Sequence, residues 1–177
     1  MKKFILALIG LPRCGKDLAA DFISKNYGFK KINLSDLIAA EAKKRKLPSD
    51  KKGLSELGDK LRQEQGSFVM GKLAWKEIKN SKELLFVISG FRSFPSIQYL
   101  RKRTNIFVVK IITSKQNRFL RAEESREELE DRERIEFEKK GLGKTLKKSQ
   151  HSIKNNSSIE QFYSKLDKLM IKIKVRI

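Results

Sequence analysis

The sequence predicts an α/β protein built on a parallel sheet of about five strands with helices on both sides. Three observations predict it. Apolar runs at "KFILALI" (3–9), "ELLFVISG" (83–90) and "NIFVVKIIT" (105–113) read as strands buried on both faces. Stretches of helical period alternate with them, as the crossovers between parallel strands require. The first run also leads straight into "GLPRCGKDLAAD" (10–21), a glycine-rich turn that opens into a helix.

Taken in order, the first strand and turn are followed by a helix with Leu18, Ala19, Phe22 and Ile23 on one face, stopped at Gly28. "FKKINL" (29–34) is a short strand. Ser35 is the expected N-cap of the next helix, with Asp36 in its first turn, and Pro48 breaks it. "LSELGDKLRQEQG" (54–66) and "SFVMGKLAWKEIKN" (67–80) are two further helices, and "PSIQYLRKR" (95–103) is a short one between the second and third apolar strands. The charged stretch 114–141 reads as long and helical, with a mobile lid in it. "SIKN" (152–155) is a last short strand. A terminal helix carries Ile159, Phe162, Leu166 and Leu169 on one face.

A chain of 177 residues fits one domain, 1–177, long enough to bury a core; 39% of it is apolar and no run is long enough to span a bilayer. The N-terminal "MKKFILALIG" has the charge order of a signal peptide but lacks a small-residue cleavage site, so a buried strand is the expectation. The single cysteine, Cys14, excludes an internal disulfide and fits a reducing, cytoplasmic setting. The single histidine, His151, excludes a catalytic triad. The net charge of +20 attracts polyanions, nucleotides and nucleic acid alike. Basic residues are spread along the chain, with short clusters at 43–46, 101–103 and 139–148 and no linear aromatic–basic motif of the RNA-recognition type.

Gly10-x-x-x-x-Gly15-Lys16 has the spacing of a Walker A loop, in the strand–turn–helix context the motif demands. The residues expected to hold a nucleotide there are Gly10, Leu11, Pro12, Arg13, Cys14, Gly15, Lys16, Asp17 and Leu18. Glycines let successive N–H groups turn inward on a phosphate, the helix N-terminus adds positive charge, and Lys16 reaches the donor phosphates. The residue after the lysine is usually a hydroxyl that ligates Mg²⁺; here it is Asp17. The acid that normally ends the second core strand is Ser89. Carboxylate and hydroxyl have traded places, and Asp17 with Ser89 is the expected pair at a magnesium ion. The competing reading is a degenerate site that binds nucleotide and turns over poorly.

These residues resemble the P-loop kinases with a Gly-Lys-Asp loop, the deoxynucleoside and nucleoside monophosphate kinases, and archaeal P-loop proteins related to dephospho-CoA kinase. "SDLIAAEAKKRKL", "DKLRQEQG", Gly90-Phe91-Arg92, "NRFLRAEE" and "IKNNSSIEQF" are similar to their later segments. The resemblance implies a three-layer P-loop NTPase fold with a helical lid at 114–148 and an acceptor-binding region at 33–82. It implies ATP and Mg²⁺ as cofactors and phosphoryl transfer to a small phosphorylated acceptor. On the matching positions, Lys16 would bind donor phosphates, Asp36 would sit near the acceptor, and Arg62 and Arg92 would grip its phosphate. Arg118 and Arg121 would be lid arginines, near the adenine or the transferred group. Lys16, Asp36, Arg92 and Arg121 would be the catalytic set. Bland alternatives are a first-turn acid at Asp36, a surface residue at Arg62 and a solvated charged helix at Arg118 and Arg121. The sequence departs from the family at Ala39, where a clamping arginine is expected, and at Ser89.

Three functions remain: a small-molecule kinase, an ATP-dependent switch protein whose basic surface holds RNA or a ribonucleoprotein, or a nucleotide-binding relic with an architectural role.

Overall fold

The computed structural model describes residues 2–174. Five parallel strands, β1 (Phe4–Ile9), β2 (Lys30–Asn33), β3 (Leu85–Ser89), β4 (Asn105–Ile112) and β5 (His151–Lys154), pair in the order β2-β3-β1-β4-β5. Ten-residue and longer crossovers separate them, mostly helical, as parallel pairing requires. The expected α/β fold with a five-stranded parallel sheet is therefore the fold observed.

The central strand shows why its sequence reads as unbroken apolar. Ile5, Ala7 and Ile9 face one core with Phe86 and Ile88. Against that core pack α2 (Leu34–Lys44), α3 (Lys51–Gln65), α4 (Val69–Lys79) and α5 (Phe94–Arg101). Phe4, Leu6 and Leu8 face the other core with Val87, covered by α1 (Lys16–Tyr27) and α9 (Ile159–Lys174). Alternate side chains leave opposite faces of a strand, so both parities must be apolar when both faces are covered. Truncating fully buried Leu6 to alanine would cost about 2–5 kcal/mol.

The stretch from 114 on, expected to be helical, is divided into α6 (Lys115–Leu120), α7 (Arg126–Arg134), a π-helical turn (Ile135–Lys139) and α8 (Leu142–Leu146). Ser125 starts α7 with a capping box, its Oγ accepting from the Glu128 N–H and the Glu128 carboxylate accepting from the Ser125 N–H. The N-cap of α2 is Asn33, whose Oδ1 accepts from the Ser35 N–H at 3.1 Å; Ser35 is already helical. Leu18 and Ile159, expected on buried faces, are 37% and 45% exposed, because both border the cleft described next.

Candidate active site

Strand order reverses direction around β1, and ligands of open α/β sheets gather at the carboxyl ends there. A cleft of about 740 Å³ opens at that edge. The loop between β1 and α1 forms one wall. Gly10 and Gly15 are required by close approach: a Cβ on Gly10 would lie 2.6 Å from the Ile111 carbonyl oxygen. One on Gly15, at φ +96°, would lie 2.4 Å from Asn155 Nδ2. The loop is braced from beneath. Thr113 Oγ1 and Asn155 Nδ2 both donate to the Cys14 carbonyl, at 3.1 and 3.0 Å. Lys16 folds over the loop, its Nζ donating to the Leu11 carbonyl at 2.8 Å.

Asp17 and Ser89 meet. Parallel pairing puts Ser89 opposite Leu8, one turn of loop from α1. Its Oγ donates to Asp17 Oδ1 at 2.7 Å, and Asn33 Nδ2 lies 3.4 Å from the same oxygen. Ser89 is fully buried and Asp17 opens to the cleft.

The opposite wall carries positive charge. Arg62 of α3 and Arg92, just past β3, both line the cleft. Arg62 Nη1 donates to Asp59 at 2.5 Å, while its buried Nε has no hydrogen-bond partner among the described residues. Arg92 pairs with Glu136 at 3.1 Å, and Arg132 approaches the same carboxylate at 3.6 Å. Lys140, nearly buried, donates to Ser55 Oγ at 3.0 Å and lies 3.6 Å from Asp59. Burial, then the charge of Arg92, pushes the Lys140 ammonium below its ordinary value; burial, with Arg92 adding to it, likewise lowers Arg62. The segment from 121 to 136 closes over the cleft. Arg13 pairs with Glu124, which also accepts from Arg132 at 3.1 Å, and the Glu124 contact raises Arg13 above its ordinary value. Arg121 lines the cleft and donates to the Asn155 carbonyl at 3.2 Å.

Of the residues expected from sequence, the cleft gathers Gly10, Pro12, Arg13, Gly15, Lys16, Asp17, Leu18, Arg62, Arg92 and Arg121. Leu11, Cys14 and Ser89 are not part of the cleft lining; Cys14 is buried beneath the loop and Ser89 behind Asp17. Two expected residues stand elsewhere. Asp36 is exposed and outside the cleft, because Leu34 and Ile38 turn that face of α2 inward and Asp36 lies about 200° around the helix from each. Arg118 is 6% exposed and locked beneath α7, its Nε and Nη2 donating to the two oxygens of Glu133 at 2.8 and 2.9 Å. Sequence reading assigned no role to Asn33, Thr113, Arg132, Glu136, Lys140 or Asn155. Only Asn155 had a signal, as the polar residue ending the last strand before a helix.

A phosphate-type loop at the switch point of a β2-β3-β1-β4-β5 parallel sheet defines a P-loop nucleotide-binding protein with the kinase-like fold. The chain belongs to the AAA domain family AAA_17, whose model matches residues 9–138. It is similar to a UPF0200 protein of Thermococcus sibiricus, 27% identical over 97% of this chain and 96% of that one. A UPF0200 protein of Methanothermobacter thermautotrophicus is 25% identical over 98% and 92%. Its fold is shared with TT1252 from Thermus thermophilus, at a TM-score of 0.69 and 17% identity over 98% of this chain and 99% of that one. Shikimate kinase from Acinetobacter baumannii, solved with shikimate, has a TM-score of 0.61 and 16% identity over 97% and 93%. No helix among the described residues is long and apolar enough to cross a membrane.

Proposed function

We propose that the protein is an ATP-dependent phosphotransferase whose acceptor is a small phosphorylated molecule, a nucleoside or deoxynucleoside monophosphate. One observation carries this reading: a single cleft has a phosphate-type loop on one wall and the Arg62–Arg92 pair on the other. Two anionic groups would be held face to face across it, and phosphoryl transfer depends chiefly on such positioning and charge neutralisation.

The loop N–H groups, Arg13 and Lys16 bind the donor triphosphate; Lys16 exchanges the Leu11 carbonyl for phosphate oxygen. Leu18 and Ile159 offer apolar surface, and Arg121 a cation, to the rest of the nucleotide. Arg62 and Arg92 hold the acceptor phosphate, with Arg132 adding the positive charge missing at Ala39. The region 33–82 supplies the acceptor wall and 114–148 the cover that excludes water. An oxygen of the acceptor phosphate attacks the terminal phosphorus, and the bond to the ADP oxygen breaks. A phosphate oxygen is already ionised at neutral pH, so no base is needed to take a proton. That suits a wall whose one buried carboxylate, Glu136, is held by two arginines.

Asp17 and Ser89 are adjacent hard oxygen donors and fit one Mg²⁺. Among the described residues no cluster of three or more His, Cys, Asp or Glu could hold a metal, and an ion held by Asp17 would need nucleotide oxygens or water besides. When bound, the ion neutralises charge on the phosphates. The buried thiol of Cys14 inside the loop suits a reducing cytoplasm.

The test is ADP release from Mg·ATP across a panel of nucleoside and deoxynucleoside monophosphates and dephospho-CoA, with Lys16→Ala as control. Release that depends on one monophosphate class and is lost in Lys16→Ala supports the reading. Slow release indifferent to every acceptor defeats it.

A further inference from the structure

The chain contains no Asp or Glu from Leu84 to Ala122, nor from Lys139 to Ile159, although it has 21 acidic residues in all. The fold packs these two acid-free segments side by side. Phe94, at the start of α5, has Arg101 Cζ at 5.8 Å and Lys148 Nζ at 5.9 Å from its ring centroid, one from each segment. The Arg92 carbonyl meets Thr145 Oγ1 of α8 at 3.4 Å. The basic cluster 101–103 and the end of the second one, Lys147 and Lys148, thus share one surface. Arg101, Lys102, Arg103, Lys147 and Lys148 are all exposed on it.

Aromatic rings lie in the same surface. Phe68, 40% exposed, stacks on Tyr99 with centroids 5.5 Å apart and planes 4° from parallel. The Arg103 guanidinium lies 3.5 Å from the Tyr99 centroid. The basic–aromatic interleaving absent as a linear motif is assembled here by folding. The surface runs from Phe94 towards the loop before β4 and the start of β5, at the amino ends of the strands. Phe94 lies near the cleft at the carboxyl edge, and the cations 101–103 and 147–148 lie at the other end of α5 and before β5.

We infer that the α5–α8 face is a binding surface for single-stranded RNA, distinct from the catalytic cleft. Phosphates would pair with the five cations, and an unstacked base would lie on Phe68. A positively charged track with stacking rings is the general solution for single-stranded nucleic acid. An anionic lipid surface would use the charge but not a planar stack.

The experiment uses the full chain and a labelled single-stranded 20-nucleotide RNA of mixed sequence, titrated over a range of salt. The face variant is Arg101→Glu/Arg103→Glu/Lys148→Glu. The control, Lys25→Glu/Lys168→Glu/Lys172→Glu, makes the same charge change on exposed residues of α1 and α9. The face variant should bind at least about tenfold more weakly, and its slope of log affinity against log salt should fall by about 2, as expected for three lost phosphate contacts. The control should keep the wild-type slope, and Phe68→Ala should weaken binding about fivefold or more, even at high salt. Thermal melting and far-ultraviolet circular dichroism, unchanged in all variants, show that each is folded. Equal losses in face and control variants would mean a diffuse basic field and overturn the proposal. So would binding to vesicles of phosphatidylcholine and phosphatidylserine without binding to RNA.

Discussion

Ser89 Oγ donates a 2.7 Å hydrogen bond to Asp17, joining two residues 72 positions apart, the end of β3 and the first turn of α1. Each residue occupies the place where the other's chemistry is usual, and the two side chains still meet, Asp17 open to the cleft and Ser89 buried behind it. The pair is therefore expected to behave as a unit. Asp17→Ala should lower Mg²⁺-dependent ATP affinity by about tenfold or more, measured by calorimetry with and without the metal. It also strands the buried Ser89 hydroxyl, at a cost of about 1–3 kcal/mol in denaturant unfolding. The exchange Asp17→Ser/Ser89→Asp restores one hydroxyl and one acid at the same place. It should recover most of the metal dependence that either single substitution loses.

The loop stands on Asn155. Asn155→Ala removes one of two donors to the Cys14 carbonyl and should cost about 1–2 kcal/mol while weakening ATP binding. Gly15→Ala should be worse, since its methyl meets Asn155 Nδ2 and its φ disfavours any side chain. The double variant should be less damaged than the two singles added together, because the clash disappears. Unfolding curves for the four proteins measure this coupling, and strict additivity would deny the brace.

Arg62 and Arg92 line the cleft away from the loop, where we propose that the acceptor phosphate binds. Arg92→Ala should raise KM for the monophosphate about 10- to 100-fold, the worth of a charge-assisted hydrogen bond. It should leave Mg·ATP affinity within about twofold. Steady-state kinetics with each substrate varied in turn separate the two effects.

Lys140 carries a pH signature. Its ammonium is held below the ordinary 10.5 by burial and by Arg92, so the folded state binds this proton less well than the unfolded chain. Stability from this group is lowest where lysine is protonated in both states. It rises as pH passes the depressed value towards 10.5. Lys140→Met should remove that alkaline gain and raise stability at neutral pH, read from urea unfolding at several pH values. A phosphate bound beside Arg62 and Arg92 would favour the protonated form, so acceptor binding should take up protons in alkaline buffer.

The sequence made the core strands and the loop legible because both faces of β1 are covered and the glycine spacing is dictated by backbone curvature. Arg62 and Arg92 both line the cleft, the first on a helix with buried Leu61 and the second three residues past a core strand. Sequence reading misplaced Asp36, where one helical residue decides whether a side chain faces the cleft or solvent. Arg118 failed for a different reason: a charged segment without apolar period does not reveal which cation is locked in an ion pair. Glu136 and Lys140 were hidden by the same lack of pattern, and the break of 114–141 into short helices turned on a capping box at Ser125 inside a run of charge.

Phosphorus NMR of the protein with Mg·ATP and the monophosphate that best stimulates ADP release tests the central claim most directly. The account predicts a new diphosphate resonance pair from the acceptor, growing in equal amount to ADP and absent with Lys16→Ala. ADP accompanied only by inorganic phosphate, with the monophosphate signal unchanged, would contradict it.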